Sequence, residues 1–213
     1  MLKILKGQQE YLDGVVVCEE SKNASCLPLV IHFLGAAVES NKKVCLISSR
    51  MTDMNYRLIC SKVGVRWNPA NISFSEVVQP GYSFDTEVKV IMDDIFTKIT
   101  EVKPEFVIFD DLSILESFGA TEIETSLYIH KIYEFLTTTC ETPLLFAPFS
   151  SSPGITSLLK PYTNLHIEII TVGHGFAKDA TSKAILTHRD SSFPKKAILL
   201  SGERTNNGQW VSI

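Results

Sequence analysis

The sequence predicts an α/β fold: a mainly parallel sheet with helices on both faces, extended at its C-terminal side by an antiparallel β-meander. Three observations predict it. Short β-branched runs such as Gly14-Val-Val-Val-Cys18 alternate with stretches of helical apolar spacing. Those runs are apolar throughout, as expected of strands buried on both faces. From Leu165 onward the pattern changes to short segments separated by Gly- and Asn-containing turns, which reads as a meander.

Each element follows in order. After the first strand comes the polar segment Glu19 to Ser25, and then Leu27, Val30, Ile31, Leu34 and Val38 recur at helical spacing with Pro28 in the first turn. Val44 to Ser48 is the next strand, and Met54 to Lys62 a shorter helix stopped by Gly64. Asn71 to Phe74 reads as a short third strand whose pairing the pattern does not fix, with a turn at Gln79-Pro-Gly81. Val88, Ile91, Met92, Ile95 and Ile99 line one face of a helix that ends before Pro104, and Phe106 to Phe109 is a strong strand closed by Asp110-Asp111. Thr121 with Glu124 fits a capping box, ahead of a helix face of Ile129, Ile132, Tyr133 and Leu136. Pro143 to Ala147 is a further core strand, and the segments beginning at Leu165, Lys183, Lys196 and Gln209 read as antiparallel strands.

The 213 residues, 45% hydrophobic and 21% charged, are read as one domain over 1–213, and a disordered or collagen-like chain is excluded. With 20 Lys+Arg against 24 Asp+Glu, a generally basic nucleic-acid coat is excluded too, so any RNA contact must be a patch. No run approaches the 18 or so apolar residues that span a bilayer, and Met1 to Gly7 lacks a signal-peptide pattern. The expectation is a soluble intracellular protein without a membrane partner. Five dispersed cysteines with no Cys-x-x-Cys pair signal neither zinc nor a disulfide framework, and Cys18 and Cys45 read as buried small hydrophobes.

A strand that turns into a helix, with a later strand ending in Asp-Asp, is the layout in which P-loop nucleotide hydrolases hold phosphate and magnesium. The phosphate cradle needs glycines so that backbone N–H groups converge on the anion, a lysine for the terminal phosphates and a hydroxyl for magnesium. Here the loop is Glu19-Glu-Ser-Lys-Asn-Ala-Ser25, with no glycine between Gly14 and Gly35 and two carboxylates where a polyanion would approach. The expectation is a chain that binds no nucleotide in the usual way, with no cofactor, metal or catalytic residue. Lys22 and Ser25 read as a loop lysine and a helix-capping serine, and Asp110 and Asp111 as caps of the following turn or pairs for a neighbouring subunit. His32, His130 and His166 read as structural. Ser150 to Gly154 lacks the Gly-x-Ser-x-Gly context of an activated serine, so Ser150 to Pro161 is a candidate contact surface by fold geometry alone.

Residues 171–213 carry six basic side chains (Lys178, Lys183, Arg189, Lys195, Lys196, Arg204) against three acidic ones (Asp179, Asp190, Glu203). Within that excess, Lys178, Lys183, His188 and Arg189 are the candidate RNA-contact residues, with His174 and Phe176 nearby for stacking or hydrogen bonds.

Three segments together resemble the Elongator complex protein 6 family of RecA-like subunits. They are Cys26 to Leu34 running through Lys42 to Ile47, Val107 to Leu115 with Gly119, and Gly173 to Asp179 followed by Ala184 to Arg189. The resemblance implies a RecA-like fold without a Walker A loop, in which Asp110 and Asp111 are a degenerate Walker B-like strand end and Gly175-Phe176 a hairpin. It further implies a hetero-hexameric ring with Elongator subunits 4 and 5 that joins the catalytic Elongator subcomplex. That ring binds tRNA, supports wobble-uridine modification and couples ATP hydrolysis to tRNA release, in the cytoplasm and also the nucleus. On this reading the chain itself is a pseudo-ATPase and not an enzyme. It looks shorter than many relatives before Pro104 and near the C-terminus. An active RecA- or KaiC-like ATPase with a degenerate phosphate loop is the alternative, and a small-molecule transferase using the Ser150 to Gly154 loop is a third reading. Arg50, Arg57 and Arg66 are the candidates for reaching a neighbour's nucleotide, with none singled out.

Overall fold

Gly14 opens the first strand at a position that only glycine fits. Its φ is +90°, and a Cβ there would stand 2.2 Å from the Asn164 side chain, while its N–H donates to the Pro143 carbonyl at 2.7 Å. The computed structural model describes residues 13–83, 85–150, 152–171, 180–189, 195–200 and 209–212. The chain runs β1 (Gly14–Glu20), α1 (Leu27–Glu39), β2 (Val44–Ser48), α2 (Asp53–Lys62), β3 (Ile72–Glu76), α3 (Val88–Val102) and β4 (Phe106–Phe109). It continues through α4 (Ser113–Ser117), α5 (Glu122–Thr139), β5 (Leu144–Ser150) and α6 (Pro153–Leu159) to β6 (Thr163–Thr171), β7 (Ala180–His188), β8 (Lys195–Leu200) and β9 (Gln209–Ser212).

The strands form one sheet in the order β3-β2-β4-β5-β1-β6-β7-β8-β9. Pairing is parallel from β3 across to β6 and antiparallel from β6 to β9. β6 therefore joins the two regimes, parallel to β1 on one side and antiparallel to β7 on the other. The change from parallel to antiparallel comes one strand later than the residue pattern suggests. β3, whose pairing the pattern left open, lies at the sheet edge beside β2.

Because successive strand residues point to opposite faces, each strand feeds two cores. Val16, Cys18, Leu46 and Ile108 pack with α1 and α2 on one face, including Leu29, Phe33, Leu34 and Tyr56. Val15, Val17, Ile47 and Val107 pack with α3 and α5 on the other, including Ile91, Ile95, Ile99, Ile129, Ile132 and Leu136. Cys18 and Cys45 are fully buried. The Thr121–Glu124 capping box is present: the Thr121 hydroxyl accepts from the Glu124 N–H at 3.2 Å, and the Glu124 carboxylate accepts from the Thr121 N–H at 2.9 Å.

Where a loop is expected over Ser150 to Gly154, the chain instead extends β5 to Ser150 and starts α6 at Pro153. Pro153 starts that helix, and Ile155 and Leu159, one turn apart, are its buried anchors. Its three apolar residues, Ile155, Leu158 and Leu159, have helical spacing, but one turn of it in a serine-rich stretch is too short to stand out from sequence.

Candidate functional site

Open α/β sheets hold their ligands beyond the carboxyl ends of parallel strands, and here the ends of β1, β2 and β4 meet in one polar cluster. β1 alternation decides which of its two terminal glutamates takes part. Glu20 follows Val16 and Cys18 to the α1 face, where it is buried, whereas Glu19 points to the opposite face. The Glu20 carboxylate accepts a hydrogen bond from the N–H of Cys26, the residue that precedes α1. α1 has no side-chain cap at Cys26 and no acidic residue in its first turn, so Glu20 supplies the anion that a helix N-terminus favours.

Arg50, just past the end of β2, bridges two carboxylates. Its Nη1 and Nη2 donate to Glu20 Oε1 and Oε2 at 3.0 and 2.5 Å, a bidentate pair. Its Nε and Nη2 lie 3.1 and 3.0 Å from Asp111 Oδ2. Burial alone would lower the Arg50 pKa, but the hydrogen bonds to Glu20 and the charges of Asp111 and Glu20 outweigh it and hold the guanidinium above its ordinary value.

Asp110, only 2% exposed, organises the β2–α2 corner. Its Oδ2 accepts from the Ser48 hydroxyl at 2.5 Å, the Arg50 N–H at 3.2 Å and the Tyr56 hydroxyl at 3.0 Å. Its Oδ1 accepts from the Ser49 N–H at 2.8 Å and the Ser49 hydroxyl at 3.2 Å. Burial, with the Asp110 charge adding to it, pushes the Tyr56 hydroxyl well above its usual range. Asp111 does cap the following turn, its Oδ1 accepting from the Ser113 N–H at 2.9 Å, but Asp110 is a hub and not a cap. The cluster thus joins an internal carboxylate at the α1 N-terminus to a guanidinium and a fully engaged aspartate. Beside it a shallow cleft of about 220 Å³ opens between Ser49, Arg50, Thr52, Asn55 and Glu76. Among the described residues no group of three or more His, Cys, Asp or Glu is arranged to hold a metal ion.

The other sequence-derived residues are dispersed. Lys22 is exposed in its loop, and the Ser25 hydroxyl accepts from the Leu27 N–H at 3.2 Å. Glu19 lies 3.5 Å from His166 Nε2 on the far face. Burial raises the Glu19 pKa, His166 opposes the shift and Glu168 adds to it. His32 is buried edge-on to Phe33 with ring centroids 5.4 Å apart, and burial lowers its pKa to about 4. His130 stacks beside Tyr162 at 4.7 Å. Lys183, His188 and Arg189 all belong to β7 or its end, but alternation puts Lys183 and Arg189 on one face and His188 on the other. Six residues of strand separate Lys183 from Arg189 by roughly 20 Å. Lys178, His174, Gly175 and Phe176 lie outside the described residues. Of the three arginines, Arg57 pairs with Asp53 at 2.7 Å and lies over Trp67, Arg66 is exposed, and Arg50 alone enters the cluster. The signal for Arg50 was its place immediately after a strand tip, which carries weight only once β2 is known to lie beside β4.

No protein-family model matches the chain, and no curated protein matches its sequence. Solved structures match its shape. Among them is a KaiC-like protein from the hyperthermophilic archaeon Pyrococcus horikoshii, with a TM-score of 0.64 over 97% of this chain and 95% of that one, at 11% identity. Similarity at that identity is similarity of fold, and the chain has the RecA/KaiC-like ATPase fold. The reading of the chain as a pseudo-ATPase outside the enzymes is corrected by that match.

Proposed function

We propose that the chain is a RecA/KaiC-like subunit of an Elongator-type ring, assembling with subunits of the Elongator 4 and 5 kind and, through the ring, supporting tRNA binding and wobble-uridine modification. The observation that carries this reading is the Val107 to Leu115 stretch. The resemblance there falls on residues with specific duties: Asp110 ties β4 to the β2–α2 corner, and Asp111 holds both Arg50 and the start of α4. Exposed aliphatic pairs on α2 (Met54, Leu58) and α5 (Ile123, Leu127), which pack on opposite faces of the sheet, add support. Two different apolar surfaces are what head-to-tail neighbours in a ring require.

The test is tRNA affinity of a ring reconstituted from the three chains. Reversing Lys183 and Arg189 to glutamate should weaken tRNA binding and flatten its salt dependence if their face of β7 contributes phosphate contacts. Unchanged affinity removes that face from the tRNA site. Failure of the wild-type chain to enter a ring removes the reading itself.

A second reading, favoured by the full-length KaiC-like match, is an active ATPase whose first loop rearranges. For phosphate to reach the α1 N-terminus, Glu20 must leave Cys26 and Arg50 must let it go. Mg-ATP at 100 times its Kd would then stabilise the lone chain by about 2.7 kcal/mol, a rise of roughly 5–10 °C in Tm for a chain of this size. No rise at millimolar Mg-ATP argues against it.

A further inference from the structure

α5 and α6 lie side by side with the same polarity. The Ser152 hydroxyl, ahead of α6, donates to Glu122 at the start of α5 at 2.5 Å, and His130 in mid-α5 stacks beside Tyr162 just past the end of α6. This helix pair carries four large apolar side chains with substantial exposure: Ile123 and Leu127, both 62%, Leu158 at 42% and Tyr162 at 45%. Ile123 and Leu127 are one helical turn apart, so they form a continuous ridge. Exposed apolar side chains scattered singly need no explanation, but three aliphatics on one helix pair with Tyr162 just past its end do.

The charges around this surface are uneven. Glu116, Glu122 and Glu124 gather at the N-terminal end of α5, while Lys131, one turn past Leu127, and Lys160, near the end of α6, stand toward the other end. Burial raises the Glu116 pKa, and the charges of Glu122 and Asp111 raise it further, a sign of crowded negative charge at that end. The N-terminal end of the surface therefore complements an apolar partner that carries cations beside its aliphatic side chains.

The chain itself shows that this fold can present such a partner. On α2, Met54 and Leu58 stand one turn apart at 71% and 56% exposure, with Arg57, which pairs with Asp53, and Lys62 exposed on the same helix. α2 packs on the opposite face of the sheet from α5, so the two surfaces can meet only between molecules. Such a contact is heterologous and propagates into a ring if its rotation closes.

We propose that the α5–α6 surface seats the α2-type helix of a neighbouring, like-folded subunit, a helix with an exposed aliphatic pair rimmed by Lys and Arg. The inference rests on the ring reading and names the face used. Leu127 lies on the α5 ridge with Ile123, and burying one leucine is worth about 1.5–3 kcal/mol.

The experiment measures assembly of the full chain with its two ring partners by light scattering over a concentration series. Leu127→Asp should weaken association at least tenfold, and Leu127→Met should stay within about threefold of wild type. Glu116→Lys should weaken association at low salt and matter less at high salt. Because Leu127 is exposed, the Tm of each lone variant should match wild type. Should Leu127→Asp lose its cooperative melt, Ile123→Ser replaces it with the same expected loss. Wild-type association of both Leu127→Asp and Ile123→Ser overturns the assignment. A lone chain that self-associates, and stops doing so on Leu127→Asp, assigns the surface to a second copy and overturns it as well. A wild-type chain that joins no partner overturns the ring reading and this inference together, which the variant series distinguishes from loss of the inference alone.

Discussion

Replacing Arg50 by methionine keeps the aliphatic stem and deletes the guanidinium that joins Glu20 to Asp111. Glu20 would keep its hydrogen bond from the Cys26 N–H and lose both bonds from Arg50, leaving a carboxylate that is only 5% exposed without a counter-charge. Removing one partner of a buried ion pair costs about 3–5 kcal/mol. Arg50 itself is 31% exposed and Asp111 18%, so water recovers part of the loss and about 2–3 kcal/mol is the working figure. For a chain of this size that is a fall of roughly 4–12 °C in Tm. Urea unfolding of wild type, Arg50→Met, Glu20→Gln and the double variant measures it. Glutamine retains an acceptor for the Cys26 N–H without the charge, so the double variant should be less destabilised than the sum of the single ones, by about 1–2 kcal/mol. A loss below about 0.5 kcal/mol in Arg50→Met, or additive single effects, refutes the bridge as a stabilising unit.

Asp110→Asn places an amide against an array of donors and should cost about 2–3 kcal/mol by urea unfolding, more than Asp111→Asn. His32 stays neutral in the fold down to about pH 4, whereas the unfolded chain protonates near pH 6.5, so stability should fall as pH drops through that window, by up to about 3 kcal/mol. Above pH 6.5 the term is fully retained, and a His32→Leu chain with the same slope between pH 6.5 and 4 would contradict it. Thr121→Ala removes the capping box of α5 and should cost about 1 kcal/mol in thermal unfolding. Gly14→Ala forces a side chain into a left-handed position against Asn164, and a loss on the order of 2 kcal/mol is expected from the same melts.

Much of the fold is legible because its strands are continuous apolar runs, and such runs signal burial on both faces. Val44 to Ser48 and Phe106 to Phe109 have the limits that their composition suggests, since polar or charged residues bound them on each side. The Thr121–Glu124 signature is equally local. α6 is hidden because the helical spacing of Ile155, Leu158 and Leu159 lasts only one turn beside serine, proline and glycine. The cluster at the strand ends was half legible. Its aspartates close a strong strand, but Arg50 and Glu20 are thirty residues apart and are joined by sheet order, which neighbouring residues do not encode. Reading Glu19 and Glu20 as a pair in a loop missed that β1 continues through both, so that alternation sends one toward His166 and the other toward Arg50. Lys183 and His188 look like neighbours on a basic patch until the same alternation places them on opposite faces.

The most direct measurement is the mass of the chain by light scattering, alone and mixed with Elongator subunits 4 and 5, at equal concentrations and physiological salt. A hexamer-sized species that appears only in the mixture and contains this chain is the predicted result. A chain that keeps the same mass in the mixture as it has alone contradicts the ring assignment.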